Sequence, residues 1–374
     1  MKTNYDIKLG VSLYSYQDNY YFHRHDLEGC IAAAAGAGAE GIEVFSDSMI
    51  PEWPYVSDAW IDKWNGWMQR YDMVPVTLDH FSDRQMWHDK ELTDDEMFER
   101  GVMYLKLAKR LGCSAIRVLH EEHTSEHPLN CRLTDYGIIE RLLPIAAELG
   151  IMMALEVHTQ DGVGADYQQK YIELAEKTNM PFVGLQADFS TFSYCMSTAD
   201  ITNAVATSGA EREILMAARE EQRKAYFGGY EMDKEAVAAE IEKMNPNDAT
   251  RIALMRVLPN IKMPENYVSP WGRMGGGGFG RRAKPSFKKL YEDLQTWAPK
   301  LVYVHGKFYD IDENGQVDDM DYPAIFKALV DGGYKGYIAS EFEGNRRLNP
   351  AGWCDEIEYV RKHQKLMRSL LGRE

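Results

Sequence analysis

A chain of 374 residues is long for one ordinary domain but fits a large α/β barrel that carries an insertion. Its hydrophobic fraction of 45% is enough for a sizeable core. Its formal charge of −16, from 58 acidic against 42 basic residues, repels phosphodiester backbones, so nucleic acid is not expected as a partner. Cys30, Cys113, Cys131, Cys195 and Cys354 are scattered and form no C-x-x-C pair. That pattern reads as reduced thiols in a cytoplasm, not as a disulfide framework or a zinc finger. The N-terminal M-K-T-N-Y-D lacks the apolar centre of a signal peptide, and no apolar run approaches the ~18 residues of a membrane span. A cytoplasmic protein with no membrane partner is expected.

In chain order, short apolar runs alternate with amphipathic stretches of helical period. The runs are residues 9–14, 41–45, 74–79, 115–119, 151–158, 182–188, 301–307 and 337–343. The helical stretches are 27–37, 58–71, 94–111, 134–149, 167–178, 286–297, 322–329 and 355–371. Gly112 and Gly150 follow the third and fourth helices, where a left-handed residue usually stops a helix. Eight strand–helix repeats predict an α/β fold of the parallel (β/α)8 type, a TIM barrel. A doubly wound open sheet is the alternative. It usually has fewer strands and a glycine-rich first turn, and residues 14–26 carry no G-x-G-x-x-G.

Residues 191–284 break the rhythm. They hold helical patterns at 211–226, 233–244 and 247–257, then W-G-R-M-G-G-G-G-F-G-R-R at 271–282. Setting them aside leaves about 280 residues, near the ~250 of a typical barrel. The expected organisation is therefore a barrel from 1–190 and 285–374 and a helical insertion at 191–284, acting as a lid or a partner-binding subdomain. Beside Arg281 and Arg282 the glycine run could cradle a phosphate. A plain loop is the favoured reading, because no strand directly precedes the glycines and no P-loop lysine follows.

Alternate side chains of a barrel strand point inward, and chemistry sits at the C-terminal ends. In strand five Met153, Leu155 and Val157 face the helices, which leaves Glu156 and His158 inward. In strand six Gln186 and Asp188 point inward, in strand seven Tyr303, His305 and Lys307, and in strand eight Glu341 and Glu343. Four consecutive strands thus bring Glu156, Asp188, His305 and Glu341 to one level. Three carboxylates and an imidazole cannot converge uncompensated, because like charges within ~4–6 Å oppose one another's ionisation. A divalent cation removes the difficulty, and an oxygen-rich set with one imidazole favours Mn²⁺, with Mg²⁺ or Co²⁺ as alternatives.

The ordered set on strands five to eight resembles the xylose isomerase-like superfamily of barrels, including D-tagatose and D-psicose 3-epimerases and inosose dehydratases. The resemblance is nearer still to the alpha subunit of C-glycoside deglycosidases. It rests on L-G-V-S-L-Y-S-Y (9–16), G-I-E-V (41–44), E-V-H (156–158), H-G-K-F-Y (305–309) and S-E-F-E-G (340–344). The 3-epimerases lack so long an insertion before strand seven. Members that cut abasic DNA bind several zinc ions with more histidines, which this chain lacks. The resemblance implies metal-assisted removal of a proton beside a sugar carbonyl. In the epimerases the bases are the two metal-binding glutamates, which map to Glu156 and Glu341. In the deglycosidases it implies a 3-oxo-glucoside, with loss of the C2 proton driving elimination of the aglycone from C1, and a small all-β partner subunit in a hetero-oligomer.

His158, just beyond a metal ligand, is the candidate general base or acid, or else a hydrogen-bonded rim histidine. Lys307 could bind a sugar oxygen or steady an oxyanion, or form an ion pair with Glu343 or Asp310. Glu43, inward on strand two, is expected to anchor a sugar hydroxyl or to orient a ligand. Tyr14 and Phe45 are candidates for stacking on substrate, or for packing alone, and Glu343 completes the expected substrate-binding set. The cluster H-E-E-H-T-S-E-H (120–127) looks metal-like but follows strand four in a predicted loop, and a second metal there is not favoured. Two classes of function remain: a metal-dependent lyase, epimerase or isomerase acting on a keto sugar, and a non-catalytic sugar-binding or scaffold subunit.

Overall fold

The computed structural model describes residues 6–79, 84, 90–118, 121–123, 131–133, 136–157, 162–255, 257–264, 267, 285–349 and 353–373. Eight strands form the barrel: β1 (Lys8–Ser12), β2 (Gly41–Phe45), β3 (Val74–Asp79), β4 (Ala115–Val118), β5 (Met152–Val157), β6 (Val183–Asp188), β7 (Leu301–Phe308) and β8 (Tyr337–Phe342). They run parallel and neighbour one another in chain order, and β8 pairs with β1 to close the ring. The open sheet is thereby excluded.

The helices α1 (Leu27–Gly36), α2 (Asp58–Tyr71), α3 (Asp94–Leu111), α4 (Tyr136–Leu149) and α5 (Asp166–Thr178) follow the first five strands. Local chemistry sets their ends. Thr93 caps α3 in a reciprocal box with Glu96, acidic residues fill its first turn, and Gly112 ends it at φ 82°. Trp60 stacks on Trp64 along α2, and Trp64 Nε1 donates to Leu111 O at 3.0 Å, locking α2 to the end of α3.

After β6 come α6 (Thr198–Ser208), α7 (Arg212–Gly228), α8 (Lys234–Lys243) and α9 (Asp248–Leu254). Their apolar faces meet in a cluster separate from the barrel core, built on Ile201, Leu215, Ile241, Leu254 and Leu258. Sequence reading missed α6. Its T-A-D-I-T-N-A-V-A-T-S is poor in strong helix formers, and packing plus the Ser197 cap on Asp200 N hold it. Polar joints tie these helices to segments beyond β7 and β8. Arg219 Nη2 donates to Asp318 O and Oδ2 at 2.8 Å, Tyr226 OH to Asp321 Oδ2 at 2.9 Å, and Arg347 Nη1 to Asp200 Oδ1 at 3.0 Å. The ring is completed by α10 (Phe287–Trp297), α11 (Tyr322–Asp331) and α12 (Glu356–Leu370).

Two further departures from the sequence expectations concern the strand ends. The run 9–14 leaves strand geometry at Ser12, and Leu13–Tyr16 form a 3₁₀ turn. Ser15 Oγ pins that turn to β8, donating to Ser340 O at 3.1 Å and accepting from Phe342 N at 2.9 Å. The segment after β4 is not a plain loop, because Glu121–His123 pair antiparallel with Cys131–Leu133. The side chains of the 120–127 cluster lie outside the described residues, as do Arg281, Arg282 and the glycine run. Cys30, Cys113, Cys195 and Cys354 are buried and unbridged. Among the described residues no helix is long and apolar enough to cross a membrane.

The outer face of β7 and β8 is sealed by α12. His363 stacks on Phe308 at 4.0 Å. Tyr322 OH donates to Lys307 O at 2.8 Å, so its oxygen accepts from His363 Nε2 at 2.7 Å, and Nδ1 in turn accepts from Ser340 Oγ at 2.8 Å. This chain of donors leaves no acceptor for a second ring proton. The glycine of H-G-K makes room here: a Cβ on Gly306 would stand 3.3 Å from His363 Cε1 and 3.0 Å from Ala339 O. Burial holds the His363 pKa down at about 3. The unfolded chain, with a histidine near 6.5, takes the proton first, so this contribution to stability is complete above about pH 6.5 and is lost as pH falls toward 3. By pH 4 the loss is expected to reach roughly 3 kcal/mol. Denaturant titrations at pH 7 and pH 4 check this: His363→Gln should show a markedly smaller drop between the two than the native chain, and equal drops would contradict it.

Candidate metal centre

Glu156 on β5, Asp188 on β6, His305 on β7 and Glu341 on β8 meet at the C-terminal end of the barrel. Register sets the meeting, since Asp188 lies beside His305 and Lys307 beside Glu341 across their strand pairs. One ligand atom from each of the four lies within 4.8 Å of the others, and all four residues are buried. His305 Nδ1 stands 2.9 Å from Glu156 Oε1, 2.9 Å from Glu341 Oε2 and 4.0 Å from Asp188 Oδ2.

Each member has its other polar atom tied elsewhere. Asp188 Oδ1 accepts from Ser190 N at 2.7 Å, and Glu341 Oε1 faces Lys307 Nζ at 3.0 Å. Glu156 Oε2 accepts from Arg117 Nη1 at 3.1 Å, and His305 Nε2 lies 2.9 Å from Glu43 Oε2. What remains is one oxygen from each carboxylate and one ring nitrogen, all turned to the same point.

These residues fit a divalent cation. A ring nitrogen carries at most one proton and cannot serve three carboxylate oxygens. Asp188 Oδ2 and Glu341 Oε2 are buried and accept no well-formed hydrogen bond, with only Lys307 Nζ at 3.5 Å from the first and the shared His305 Nδ1 at 2.9 Å from the second. Neighbouring ligands of an octahedral ion held at about 2.1 Å stand about 3 Å apart, close to the 2.9 Å contacts found here. Charge points the same way. Five carboxyl groups, Glu43, Asp79, Glu156, Asp188 and Glu341, are buried at this end, against the three basic groups Arg117, Lys307 and His305. A hard or borderline ion suits the oxygen-rich donor set.

The surrounding groups sort the sequence candidates. Glu43 contacts His305, and Ser12 Oγ donates to Glu43 Oε1 at 2.6 Å, so Glu43 fixes the ring with Nδ1 facing the cluster. The Gln186 amide also approaches Nε2, at 2.8 Å. Lys307 Nζ lies 3.3 Å from Glu343 Oε1 and 3.5 Å from Asp188 Oδ2, which realises the expected pairing with Glu343. Burial disfavours charged Lys307, yet Glu341, Glu343 and Asp188 raise its pKa well above the ordinary value, so it stays cationic. Burial likewise works against ionised Glu341, but His305 and Lys307 overcome it and hold its pKa at about 2. The half-buried Tyr14 sits beneath Lys307, with Nζ 5.9 Å from its ring centre, and meets the buried Phe45 edge-on at 5.3 Å. His158 lies outside the described residues.

Two buried members escaped sequence reading. Asp79 ends β3, Arg117 lies in β4, and the Arg117 guanidinium bridges Asp79 and Glu156. The period-two rule that placed Glu156 inward also places Asp79 and Arg117 inward when applied to runs 74–79 and 115–119.

Comparison with known proteins agrees with the fold. A family model described as xylose isomerase-like TIM barrel matches residues 31–218, half of the chain. The chain belongs to the xylose isomerase-like TIM barrel family. Along nearly its whole length this family member is similar to the 3'-dehydrocarminate deglycosidase alpha subunit of a Microbacterium species, 28% identical over 98% of this chain and 95% of that one. It is likewise similar to a C-glycoside deglycosidase alpha subunit of Arthrobacter globiformis, 26% identical over 97% of this chain and 92% of that one. Among solved structures, the IOLI protein with a bound zinc atom shares the fold at 13% identity, with a TM-score of 0.51 and 98% of each chain covered. D-psicose 3-epimerase in the presence of D-fructose does so at 12% identity, with a TM-score of 0.50 and coverage of 98% of this chain and 100% of that one.

Thermal melting tests the fit. Mn²⁺ at about 100 times its Kd should add about 2.7 kcal/mol and raise the midpoint by several degrees. The rise should vanish in His305→Ala. A native protein that melts at the same temperature with and without Mn²⁺, Mg²⁺ and Co²⁺ would contradict it.

Proposed function

We propose that the protein is a divalent-metal-dependent lyase acting on a 3-oxo-glycoside, with elimination of the aglycone, that is, a C-glycoside deglycosidase. The observation that carries this reading is a four-donor cluster at the catalytic end of a barrel whose chain aligns end to end with deglycosidase alpha subunits. Mn²⁺ is the proposed ion, with Mg²⁺ or Co²⁺ as alternatives, held by Glu156, Asp188, His305 and Glu341. When bound, such an ion supplies Lewis-acid stabilisation of negative charge on a substrate oxygen.

A 3-oxo group makes the C2 hydrogen of the sugar acidic. A base takes that proton, and the C2–H electron pair becomes the second bond between C1 and C2. The bond from C1 to the aglycone breaks, its electrons leave with the aglycone, and the aglycone takes up a proton. The step needs no oxidant or reductant. His158, two residues beyond Glu156 in the sequence, is the proposed base. Lys307, kept cationic by its carboxylate neighbours, is the group proposed to steady the developing oxyanion. Tyr14 and Glu343 beside it are proposed sugar contacts, with Phe45 backing Tyr14 and Glu43 holding the His305 ring.

A small all-β partner subunit belongs to this proposal, since the relatives are named alpha subunits. The 191–284 helices, which present exposed Phe227, Tyr230 and Met244, are the proposed lid or partner surface. The buried unbridged thiols fit a cytoplasmic setting. One feature favours a second reading, a keto-sugar 3-epimerase: Glu156 and Glu341 stand equally close to His305 Nδ1, at 2.9 Å each.

Incubation in D₂O with Mn²⁺ and a panel of 3-oxo glycosides and free ketoses separates these readings. Aglycone release is expected, lost in Glu156→Gln and His305→Ala. In His158→Ala, kcat should fall by about 10²–10⁴ while Mn²⁺ binding persists. Deuterium entering a ketose without aglycone release would favour the epimerase, and no reaction with any substrate would contradict both.

A further inference from the structure

Two of the four donor side chains are tied back by groups of their own strand's surroundings, Asp188 by the backbone just after β6 and Glu341 by Lys307 on the neighbouring strand, and His305 is held by Glu43 from across the barrel. The tie on Glu156 is built differently. The Arg117 guanidinium on β4 stands between β3 and β5, placing Nη1 3.1 Å from Glu156 Oε2 and pairing Nη2 with Asp79 Oδ1. All three side chains are buried.

We infer that Arg117, held by Asp79, is a positioning residue that fixes Glu156 to offer one oxygen to the metal. The inference rests on the metal reading of the four-donor cluster. A guanidinium has two separate N–H edges in a rigid plane and can hold a carboxylate on each, whereas an ammonium is a single point of charge. With Oε2 occupied, Glu156 presents Oε1 alone, 2.9 Å from His305 Nδ1. Without the guanidinium, the Glu156 carboxylate is free to turn both oxygens toward the ion, and Asp79 loses its counter-charge in a buried setting. The dyad also joins β3 and β4 to a centre whose four donors all come from β5 to β8. Its loss therefore changes how the ion is held and need not remove any contact with substrate.

The test titrates Mn²⁺ into the full-length native chain, Asp79→Asn and Arg117→Lys by calorimetry, and records the EPR spectrum of the bound Mn²⁺. Circular dichroism of the metal-free proteins monitors the fold. The native chain should bind one Mn²⁺. Both variants should bind about 10- to 100-fold more weakly, with an altered Mn²⁺ spectrum and unchanged far-ultraviolet dichroism. Asp79→Asn keeps the shape and the guanidinium, and it decides the matter should Arg117→Lys not fold. Native affinity together with a native Mn²⁺ spectrum in the folded variants would overturn the role of Arg117 and leave the metal centre standing. A native chain that binds no Mn²⁺ would overturn both.

Discussion

Five buried carboxyl groups share the C-terminal end of this barrel with three buried basic groups, Arg117, Lys307 and His305, and that imbalance governs the rest of the structure. Like charges in a low-dielectric interior repel strongly, so the arrangement stands only where something positive is gathered among them. Arg117 and Lys307 meet part of the demand from the sides, Arg117 through Asp79 Oδ1 and Glu156 Oε2, and Lys307 through Glu341 Oε1 and, at 3.5 Å, Asp188 Oδ2. The oxygens that point inward are left for an ion. One contact pattern thus ties together the choice of residues on β5 to β8, the orientation of the His305 ring and the role given to Glu43.

Holding such a centre requires a rigid outer wall. Polar groups on the helix side of β8 and β1 supply it. Gln364 Nε2 donates to Gly10 O at 2.6 Å and to Ser340 Oγ at 2.9 Å, so α12 grips both strands at once. The buried Glu356 carboxylate accepts from Asp18 N, Asn19 N, Asn19 Nδ2 and Asn345 Nδ2, clasping the segments after β1 and β8 to the start of α12. These contacts lie one layer out from His305 and Glu341 and keep the strand ends in register. Helices α6 and α7 are joined to the segments after β8 and β7 through Asp200 on Arg347 and Arg219 on Asp318.

The barrel was legible because parallel strands buried on both faces read as short apolar runs, and because Gly112 stops a helix where a strand must begin. The convergence of Glu156, Asp188, His305 and Glu341 was legible because the period-two rule turns each of them inward at the end of its strand. Other features were hidden for physical reasons. Helix α6 is held by packing and a cap more than by propensity. The turn Leu13–Tyr16 is fixed by Ser15 on β8, a contact between residues 327 apart that no local pattern carries. Asp79 and Arg117 were open to the period-two rule, yet their partnership with Glu156 depends on the angular spacing of three strands, which sequence does not specify.

The central claim is that Glu156, Asp188, His305 and Glu341 together hold one divalent ion. Anomalous diffraction at the manganese edge, from crystals grown with Mn²⁺, tests it most directly. The account calls for a single strong peak per chain between these four side chains, with oxygen and nitrogen ligands about 2.0–2.3 Å away. A barrel end without that peak, or with manganese bound only elsewhere, would contradict it.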